Sequence, residues 1–245
     1  MTLPIAFVWP KTGTKLWTRG SATGGGGKQQ VSQRDALPVL ETHNGSDGKP
    51  ASYRVADGEW VDAEQVRLAE LTEPPPLTGA TERWVDVDLD RQILVAYEGK
   101  LPVYATMISA GKSDTPTAPG IYRIMKKLFE TDMNGLTGED AYSVSTVPWT
   151  QFFSNDGLAL HTSYWHDKFG LPRSHGCVNL APRDARWMYF WSEPQVPGGW
   201  TMVASVVEMP GSIVRVRTKS APTPLPYIGY VAKRVQELRQ AQGHP

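Results

Sequence analysis

The chain has 245 residues, of which 40% are hydrophobic and 20% charged, enough to bury the cores of one or two domains. Its 25 basic and 25 acidic side chains cancel, so the whole chain carries no electrostatic footprint for DNA, RNA or an anionic membrane, and we expect no nucleic-acid partner. No stretch approaches the roughly 18 apolar residues of a membrane span, so we expect no transmembrane segment, and the first residues lack the basic and apolar regions of a signal sequence.

Proline-rich stretches divide the chain into segments. "LTEPPPLTGAT" (71–81) is typical of a semi-rigid linker, because consecutive prolines favour extended polyproline geometry. Since few contacts should cross such a linker, we expect a protein lacking residues 1–78 to fold. Near the end of the chain, Val231, Val235 and Leu238 lie at helical spacing and predict a short amphipathic helix. We predict four segments: a first domain (1–73), a linker (74–81), a second domain (82–218) and a tail (219–245).

The first domain contains short strand-like runs separated by turns. In "YRVADGEWVDAEQVR", two such runs flank Asp57-Gly58, a strong signal for a β-hairpin. Over about residues 50–70 this pattern resembles the last strands of bacterial SH3-like modules. The resemblance implies a small SH3-like β-barrel, and an unrelated small β domain is the alternative.

The second domain opens with a strand pattern of period two. The apolar residues of "WVDVDLD" alternate with aspartates, among them Asp86 and Asp88, which predicts a strand with one solvent-facing side. "ILVAYEGKLPVYATMIS" predicts two strands that meet at Glu98-Gly99-Lys100, and Pro182 stands at a plausible first position of a helix. Further strands are predicted in "GIYRIMKK", "AYSVSTV", "GLALHTS" and, as the closing strand, "GWTMVASVVEM". The second domain is therefore predicted to be mostly β.

The single cysteine of the chain, Cys177, lies in "LPRSHGCVNLAP" with three of the five histidines nearby: His161, His166 and His175. A thiol with the ordinary pKa of about 8.5 is mostly protonated at neutral pH, so a catalytic cysteine needs an imidazole or another positive neighbour. Three interpretations fit these residues: a nucleophile, a zinc site built from the three histidines and the cysteine, or a buried apolar residue. The absence of an H-x-x-x-H or C-x-x-C pair disfavours zinc.

The residues around Cys177 can form a reactive cleft. His161 ends the predicted strand "GLALH" and should project from the face opposite Leu158 and Leu160. The long loop that follows can return to that strand end, and Gly176 allows a tight turn with positive φ that aims backbone N–H groups at one point. Such a turn suits an oxyanion hole.

The order of His161, twelve intervening residues and "SHGCVN" resembles the signature of the YkuD-type L,D-transpeptidase catalytic domain. "VDVDLDRQILVAYEGKLPVYATMISAGK" and "TPTAPGIYRI" are similar to the opening of that domain, so the likeness covers about residues 82–206. It implies a mainly β protein, a YkuD-type β-sandwich with one or two short helices after the SH3-like module. It also implies Cys177 as the nucleophile, His161 as the general base and Thr162 as the residue whose carbonyl orients the imidazole.

The same resemblance implies roles for the surrounding residues. His175 would shape the site, backbone N–H groups around Gly176 and Cys177 would form the oxyanion hole, and His166, in the intervening loop, would have no role in the motif. No metal or organic cofactor is implied. Five residues are expected to contact substrate, although the aromatic ones could be core and the arginine a solvated surface residue: Ser174, Asn179, Tyr142, Trp149 and Arg173.

These expectations define a function and its alternatives. The resemblance implies a monomeric enzyme of the cell envelope that transfers an acyl group from a peptidoglycan tetrapeptide stem through a Cys177 thioester to an amine, with release of the terminal D-residue. Carbapenems should acylate the same cysteine. The alternatives are an L,D-carboxypeptidase or other hydrolase using the same thioester, and an inactive cell-wall-binding protein.

Overall fold

The computed structural model describes residues 1–10, 13, 15–135, 142–222 and 227–242. In these ranges the chain is mainly β with two α-helices, and neither helix is long and apolar enough to cross a membrane. The strands of the first domain are β1 (Ile5–Val8), β2 (Lys15–Arg19), β3 (Gly27–Ser32), β4 (Ala36–Pro38), β5 (Glu41–Asn44), β6 (Pro50–Ala56), β7 (Glu59–Asp62) and β8 (Val66–Ala69), with a 3-10 helix (Ala63–Gln65) before β8. The later elements are β9 (Arg83–Asp88), β10 (Ile93–Glu98), β11 (Leu101–Met107), β12 (Gly120–Arg123), β13 (Lys126–Gly135), β14 (Tyr142–Phe152), β15 (Ala159–Thr162), β16 (Val178–Leu180), α1 (Pro182–Trp191), β17 (Met202–Ala204), β18 (Ile213–Arg217) and α2 (Tyr230–Ala241).

The first domain consists of two sheets around a small apolar core. One sheet has the order β4-β1-β8 and the other β3-β2-β7-β6-β5, and their buried side chains include Ala6, Tyr53 and Val61. The predicted hairpin is confirmed: β6 pairs with β7 across Asp57-Gly58, where Gly58 has a φ of +61°. No closed barrel is present among the described residues, so the SH3-like assignment is not confirmed.

The second domain is a sandwich of two five-stranded sheets, with the orders β11-β10-β9-β18-β12 and β16-β15-β14-β13-β17. Its core contains fully buried residues of both sheets, such as Val85 and Leu160, and Ala185 of α1. The predicted hairpin at 98–100, the helix starting at Pro182 and the amphipathic C-terminal helix are confirmed. The predicted closing strand contains β17 at a sheet edge, whereas β18, which was not predicted, lies inside the other sheet.

The prediction of a solvent-facing side on β9 is wrong. Trp84, Asp86 and Asp88 are only 0%, 2% and 6% exposed. Asp86 accepts hydrogen bonds from Arg215 Nε at 2.7 Å and from Arg217 Nε at 2.9 Å, which compensates its carboxylate for the loss of water. The physical reason is that this face of the sheet packs against the first domain, whose Leu3 and Phe7 share an apolar core with Trp84.

The proline-rich segment also makes contacts with the second domain, so the expectation of few crossing contacts is wrong. Arg215 donates to the carbonyl of Glu73 at 2.8 Å and to Thr72 Oγ1 at 2.9 Å. Tyr227, just before α2, donates through its hydroxyl to the carbonyl of Pro76 at 2.8 Å. At the β10–β11 turn, a Cβ on Gly99 would lie 1.8 Å from the carbonyl oxygen of Ala80, so the chain passes too close for any other residue there.

Deletion of residues 1–78 is now expected to destabilise the protein. The deletion would expose the face of the sheet that carries Trp84. It would also remove the Glu73 carbonyl and the Thr72 hydroxyl, which accept hydrogen bonds from Arg215. Each large apolar side chain stabilises by about 1.5–3 kcal/mol when buried, so losing several is comparable with the roughly 5–15 kcal/mol that separates folded from unfolded domains. We expect calorimetry of the truncated chain to show a melting temperature at least about 10 °C lower, or no cooperative transition. An unchanged melting temperature would contradict this expectation.

Candidate active site

A single cleft collects most of the residues proposed from the sequence. Strands β15 and β16 pair in parallel, with Leu160 opposite Val178 and His161 opposite Asn179, so Cys177 lies directly before the strand that neighbours His161. The cleft has a volume of about 250 Å³. It is lined by Met133, Val144, His161, Trp165, His166, Arg173, Ser174, His175, Cys177 and Asn179.

His161 is held as a neutral imidazole with a defined tautomer. The side chain is 3% exposed, and its Nδ1 lies 2.7 Å from the carbonyl oxygen of Thr162. Because a carbonyl only accepts hydrogen bonds, Nδ1 must carry the proton, which leaves Nε2 of the neutral ring as an acceptor. Burial lowers the pKa of His161 to about 4, against the opposing effect of the Thr162 hydrogen bond. The ring is therefore an unprotonated base at neutral pH.

Cys177 lies in the same cleft as a protonated thiol. The residue is partly exposed, and its Sγ lies 3.5 Å from the carbonyl oxygen of Gly157, to which the S–H can donate. Burial raises the pKa of the Cys177 thiol to about 11, although a hydrogen bond from the Ala159 backbone acts in the opposite direction. The sequence argument favoured a thiolate beside an imidazolium. The structure instead indicates a neutral thiol and a neutral imidazole, so a proton must move when the sulfur attacks.

The turn before Cys177 is held by the hydroxyl of Ser174. This hydroxyl donates to the carbonyl of Cys177 and accepts from the Gly176 N–H at 3.1 Å. The positive φ predicted at Gly176 is confirmed at +120°. Because the Gly176 N–H is bound to Ser174, it does not point to a substrate oxygen, whereas the Cys177 N–H donates to no acceptor within the described ranges. Of the two N–H groups predicted to form an oxyanion hole, only that of Cys177 is therefore unengaged in the described part of the chain.

Thr117 is a residue of the site that the sequence reasoning missed. It is 1% exposed, and its hydroxyl donates to the carbonyl of Gly176 at 2.6 Å and accepts from the Gly111 N–H at 3.0 Å. Ser174 therefore binds the N–H of Gly176, and Thr117 binds its carbonyl. Thr117 lies in "TPTAPG", a stretch that contributed to the family resemblance without suggesting a role for any of its residues.

We expect Thr117→Val to loosen this turn. Valine has nearly the shape of threonine but leaves the buried Gly176 carbonyl and Gly111 N–H without their partner, which should destabilise the protein by about 1–3 kcal/mol. Thr117→Ser, which retains the hydroxyl, should stay close to the wild type. The melting temperature and the rate of covalent labelling at Cys177 should both be lower in the valine variant and unchanged in the serine variant. Equal behaviour of the two variants would show that the hydroxyl does not hold the turn.

The remaining residues proposed from the sequence lie in different surroundings. Trp149 is not part of the cleft lining; it packs against the sandwich core, and its Nε1 has no partner within the described part of the chain. Arg173 is exposed at the cleft, with its backbone N–H donating to Ala110. Tyr142 begins β14, and its side chain lies outside the described residues. His166, which has no role in the motif, also lines the cleft.

The zinc alternative required His161, His166, His175 and Cys177 to gather around one point. Among the described residues, no group of three or more His, Cys, Asp or Glu side chains is arranged to hold a metal ion. Two of the ring nitrogens are engaged elsewhere: Nδ1 of His161 by the Thr162 carbonyl and Nδ1 of His166 by the backbone N–H of Lys168 at 3.1 Å. The described geometry thus contains a thiol and a base in one cleft.

The chain is similar to several known proteins. L,D-transpeptidase 2 of Mycobacterium tuberculosis is 32% identical over 89 residues, which are 33% of this chain and 22% of that protein. A Bacillus subtilis relative is 24% identical over 119 residues, 43% of this chain and 59% of its own length, so the chain spans less than two thirds of either relative. A solved L,D-transpeptidase from Mycobacterium smegmatis has 20% identity and a TM-score of 0.47, covering 77% of this chain and 72% of that one. The model of the L,D-transpeptidase catalytic domain, YkuD, matches residues 82–216, more than half of the chain, and the chain therefore belongs to this family.

Proposed function

We propose that this protein is a peptidoglycan L,D-transpeptidase that acts through a thioester on Cys177, with His161 moving the proton. The observation that carries the proposal is the shared cleft, which is lined by the Cys177 thiol directly before β16 and by the His161 imidazole on the neighbouring parallel strand β15. Nε2 of His161 has no hydrogen-bond partner among the described residues. Membership of the family supports the reaction class. The thioester step and the roles of single residues are our inference from this geometry.

In the first stage, Cys177 Sγ attacks the carbonyl carbon between an L-centre and the terminal D-residue of a tetrapeptide stem. His161 Nε2 accepts the thiol proton during the attack, and the Cys177 N–H donates to the carbonyl oxygen as it gains negative charge. The C–N bond then breaks, and the departing D-amino acid takes the proton from His161. The products are a thioester on Cys177 and a free D-residue, and the His161 imidazole is neutral again.

In the second stage, the amine of another stem attacks the thioester. His161 Nε2 accepts a proton from that amine, and the sulfur departs and regains a proton through the same ring. The neutral resting state suits this sequence, because the imidazole must accept a proton at the start of each stage. The low pKa of about 4 also makes the imidazolium a strong acid toward the departing amine.

The lining of the cleft suits a peptide with an acidic end. Met133, Val144 and Trp165 offer apolar surface, while Arg173 provides a cation that can pair with a carboxylate of the stem.

We also propose that the protein works in the cell envelope as a monomer, and that the segments 1–73, 74–81, 82–218 and 219–245 are its domains, linker and tail. Binding of the wall by the first domain, through an SH3-like surface, is part of the same proposal.

A muropeptide assay tests the proposed function. The full chain is incubated with a disaccharide tetrapeptide, with and without an amine acceptor, and the products are identified by mass. We expect release of the terminal D-residue and a new amide that includes the acceptor. A tripeptide product with water as the only acceptor would instead assign the hydrolase alternative, and no product together with binding to cell walls would assign the inactive wall-binding alternative.

A further inference from the structure

A groove between the two domains lies outside the active-site cleft. Its volume is about 800 Å³, more than three times the 250 Å³ of the cleft. The first domain contributes Phe7, Arg34 and Ala36 to the lining of this interdomain groove. The second domain contributes residues of β11 and of the N-terminal half of α1. The proposed reaction uses no residue of the groove.

Asp184 is the only acidic side chain among the described residues that line the groove, and its charge is already compensated. It is 7% exposed. Its Oδ1 accepts a hydrogen bond from the Tyr104 hydroxyl at 2.8 Å. Its Oδ2 accepts from the Thr106 hydroxyl at 2.6 Å and from Arg34 Nη2 at 2.9 Å. Arg34 and Asp184 therefore neutralise each other across the contact between the domains.

Two further arginines of the lining have no acidic partner. Arg183 and Arg186 lie on α1, are exposed and form no ion pair within the described ranges. The guanidinium of Arg186 lies only over the Phe190 ring, 5.2 Å from its centroid. Arg183 is the second residue of the helix, at its positive end, where a cation is unfavourable. With three arginines and one aspartate, the lining has a net charge of +2, which is complementary to an anionic ligand.

An aromatic wall stands beside these cations. The half-buried Trp187 ring stacks on Tyr104, with 4.1 Å between the ring centroids, and on Trp191, with 5.2 Å. Because Trp187 is held between two stacked rings, this wall is already formed in the free protein. A preformed groove with cations and apolar surface suits a chain molecule that carries carboxylates between apolar groups.

The groove and the nucleophile lie at the two ends of β16. Cys177 directly precedes this strand, and Ala181, which lines the groove, directly follows it. Since an extended strand rises about 3.3 Å per residue, the four steps from Cys177 to Ala181 cover about 13 Å. Four extended residues of a peptide stem cover about the same distance. Two stems on one polymer are therefore within reach of the cleft and the groove at the same time.

We propose that the interdomain groove binds a second stem peptide of the peptidoglycan polymer, with its carboxylates paired to Arg183 and Arg186, while another stem occupies the active-site cleft. The planar guanidinium of arginine matches the two oxygens of a carboxylate. Attachment at two points raises the effective concentration of the donor stem at Cys177. This inference rests on the proposed function, because it assumes that the polymer is the substrate.

The double variant Arg183→Gln/Arg186→Gln of the full chain tests the groove. Neither arginine forms an ion pair in the described fold, so the melting temperature should stay at the wild-type value. In cosedimentation with isolated cell walls, we expect a Kd roughly tenfold higher than that of the wild type. Turnover of a soluble disaccharide tetrapeptide, which carries one stem only, should be unchanged. Wild-type binding to cell walls by this variant would overturn the proposal.

The matched control is Lys219→Gln/Lys233→Gln. It removes two exposed cations that lie after β18 and on α2, outside the groove, so the net charge of the chain changes by the same amount. This variant should bind cell walls like the wild type. An equal loss in both double variants would show a general effect of charge and would overturn the proposal.

Cell walls from which an amidase has removed the stem peptides identify the occupant. On these walls the wild type should bind as weakly as the arginine double variant, because the carboxylates of the stems are gone. If the wild type keeps its advantage, the groove binds another part of the wall and the assignment to a stem peptide is overturned. Groove-dependent binding to intact walls without turnover of the soluble tetrapeptide would instead overturn the proposed function.

Discussion

Replacing Cys177 by alanine is expected to abolish covalent acylation. Wild-type protein incubated with a carbapenem should gain the mass of one molecule, because the thiol opens the strained β-lactam carbonyl, and the adduct should map to the peptide containing "SHGCVNL". Cys177→Ala has no nucleophile and should show no adduct. Intact-protein mass spectrometry followed by peptide mapping measures both outcomes.

Cys177→Ser is the matched variant for this experiment. It keeps an O–H in place of the S–H, but a hydroxyl is far harder to ionise and His161 must remove its proton during the attack, so only residual labelling is expected. The fold should be unchanged in both variants, which circular dichroism can verify. Labelling that persists in Cys177→Ala, or a folded wild type that is never labelled, would rule out Cys177 as the nucleophile.

Loss of the imidazole at position 161 is expected to slow acylation by about 10²–10⁴-fold, the usual contribution of a general base. His161→Gln removes the base while keeping a polar side chain of moderate size in this 3% exposed position. The pseudo-first-order rate of carbapenem labelling measures the effect. His43→Gln serves as the control, because His43 lies on β5 in the first domain and not in the cleft, and it should react at the wild-type rate.

The pH dependence of the same rate distinguishes attack by a neutral thiol–imidazole pair from attack by a thiolate that forms only when the thiol loses its proton to solvent. With the pKa of His161 lowered to about 4 and that of Cys177 raised to about 11, the base is unprotonated and the thiol protonated at every pH between these values. The rate should therefore be nearly flat from pH 6 to 8 and should fall only as His161 gains a proton near pH 4. A rate that rises tenfold per pH unit between 6 and 8 would show that a thiolate formed by loss of the thiol proton to solvent is the reacting species.

The elements of the second domain were predictable where a local pattern decides the structure. Glycine at 99 marks the hairpin between β10 and β11, and Pro182 marks the start of α1. The pairing of His161 with "SHGC" was also visible, because a histidine at a strand end and a cysteine after a glycine turn are recognisable types at a recognisable spacing. The structure places both side chains in one cleft.

What covers a strand could not be read from the strand itself. Asp86 alternates with apolar residues just as a solvent-facing residue does, but its partners are Arg215 and Arg217 of β18, and the same face is covered by Leu3 and Phe7. The face of β9 is thus covered by residues that are distant from it in the sequence on both sides. A period-two pattern reports which residues share a face and not what lies on it.

The hydrogen bonds of the site were hidden for a similar reason. Whether the Gly176 N–H is free depends on the Ser174 hydroxyl. Whether His166 contacts Asn179 depends on the path of the loop that carries His166. Both contacts are decided by side-chain rotamers and loop closure. Residue type and spacing carried no information about either of them.

The position of β18 has a consequence for how the protein is made. β18 lies between β9 and β12 in its sheet and pairs with both, although it follows every other described strand in the sequence. A ribosome adds about 5–20 residues per second, so β9 waits for its neighbour with one edge open while the intervening residues are produced. Pairing between such distant segments is slow and leaves unpaired edges exposed to aggregation. The sheet that contains β9 and β12 thus remains incomplete until β18 emerges, and its open edge offers a binding site to a holding chaperone.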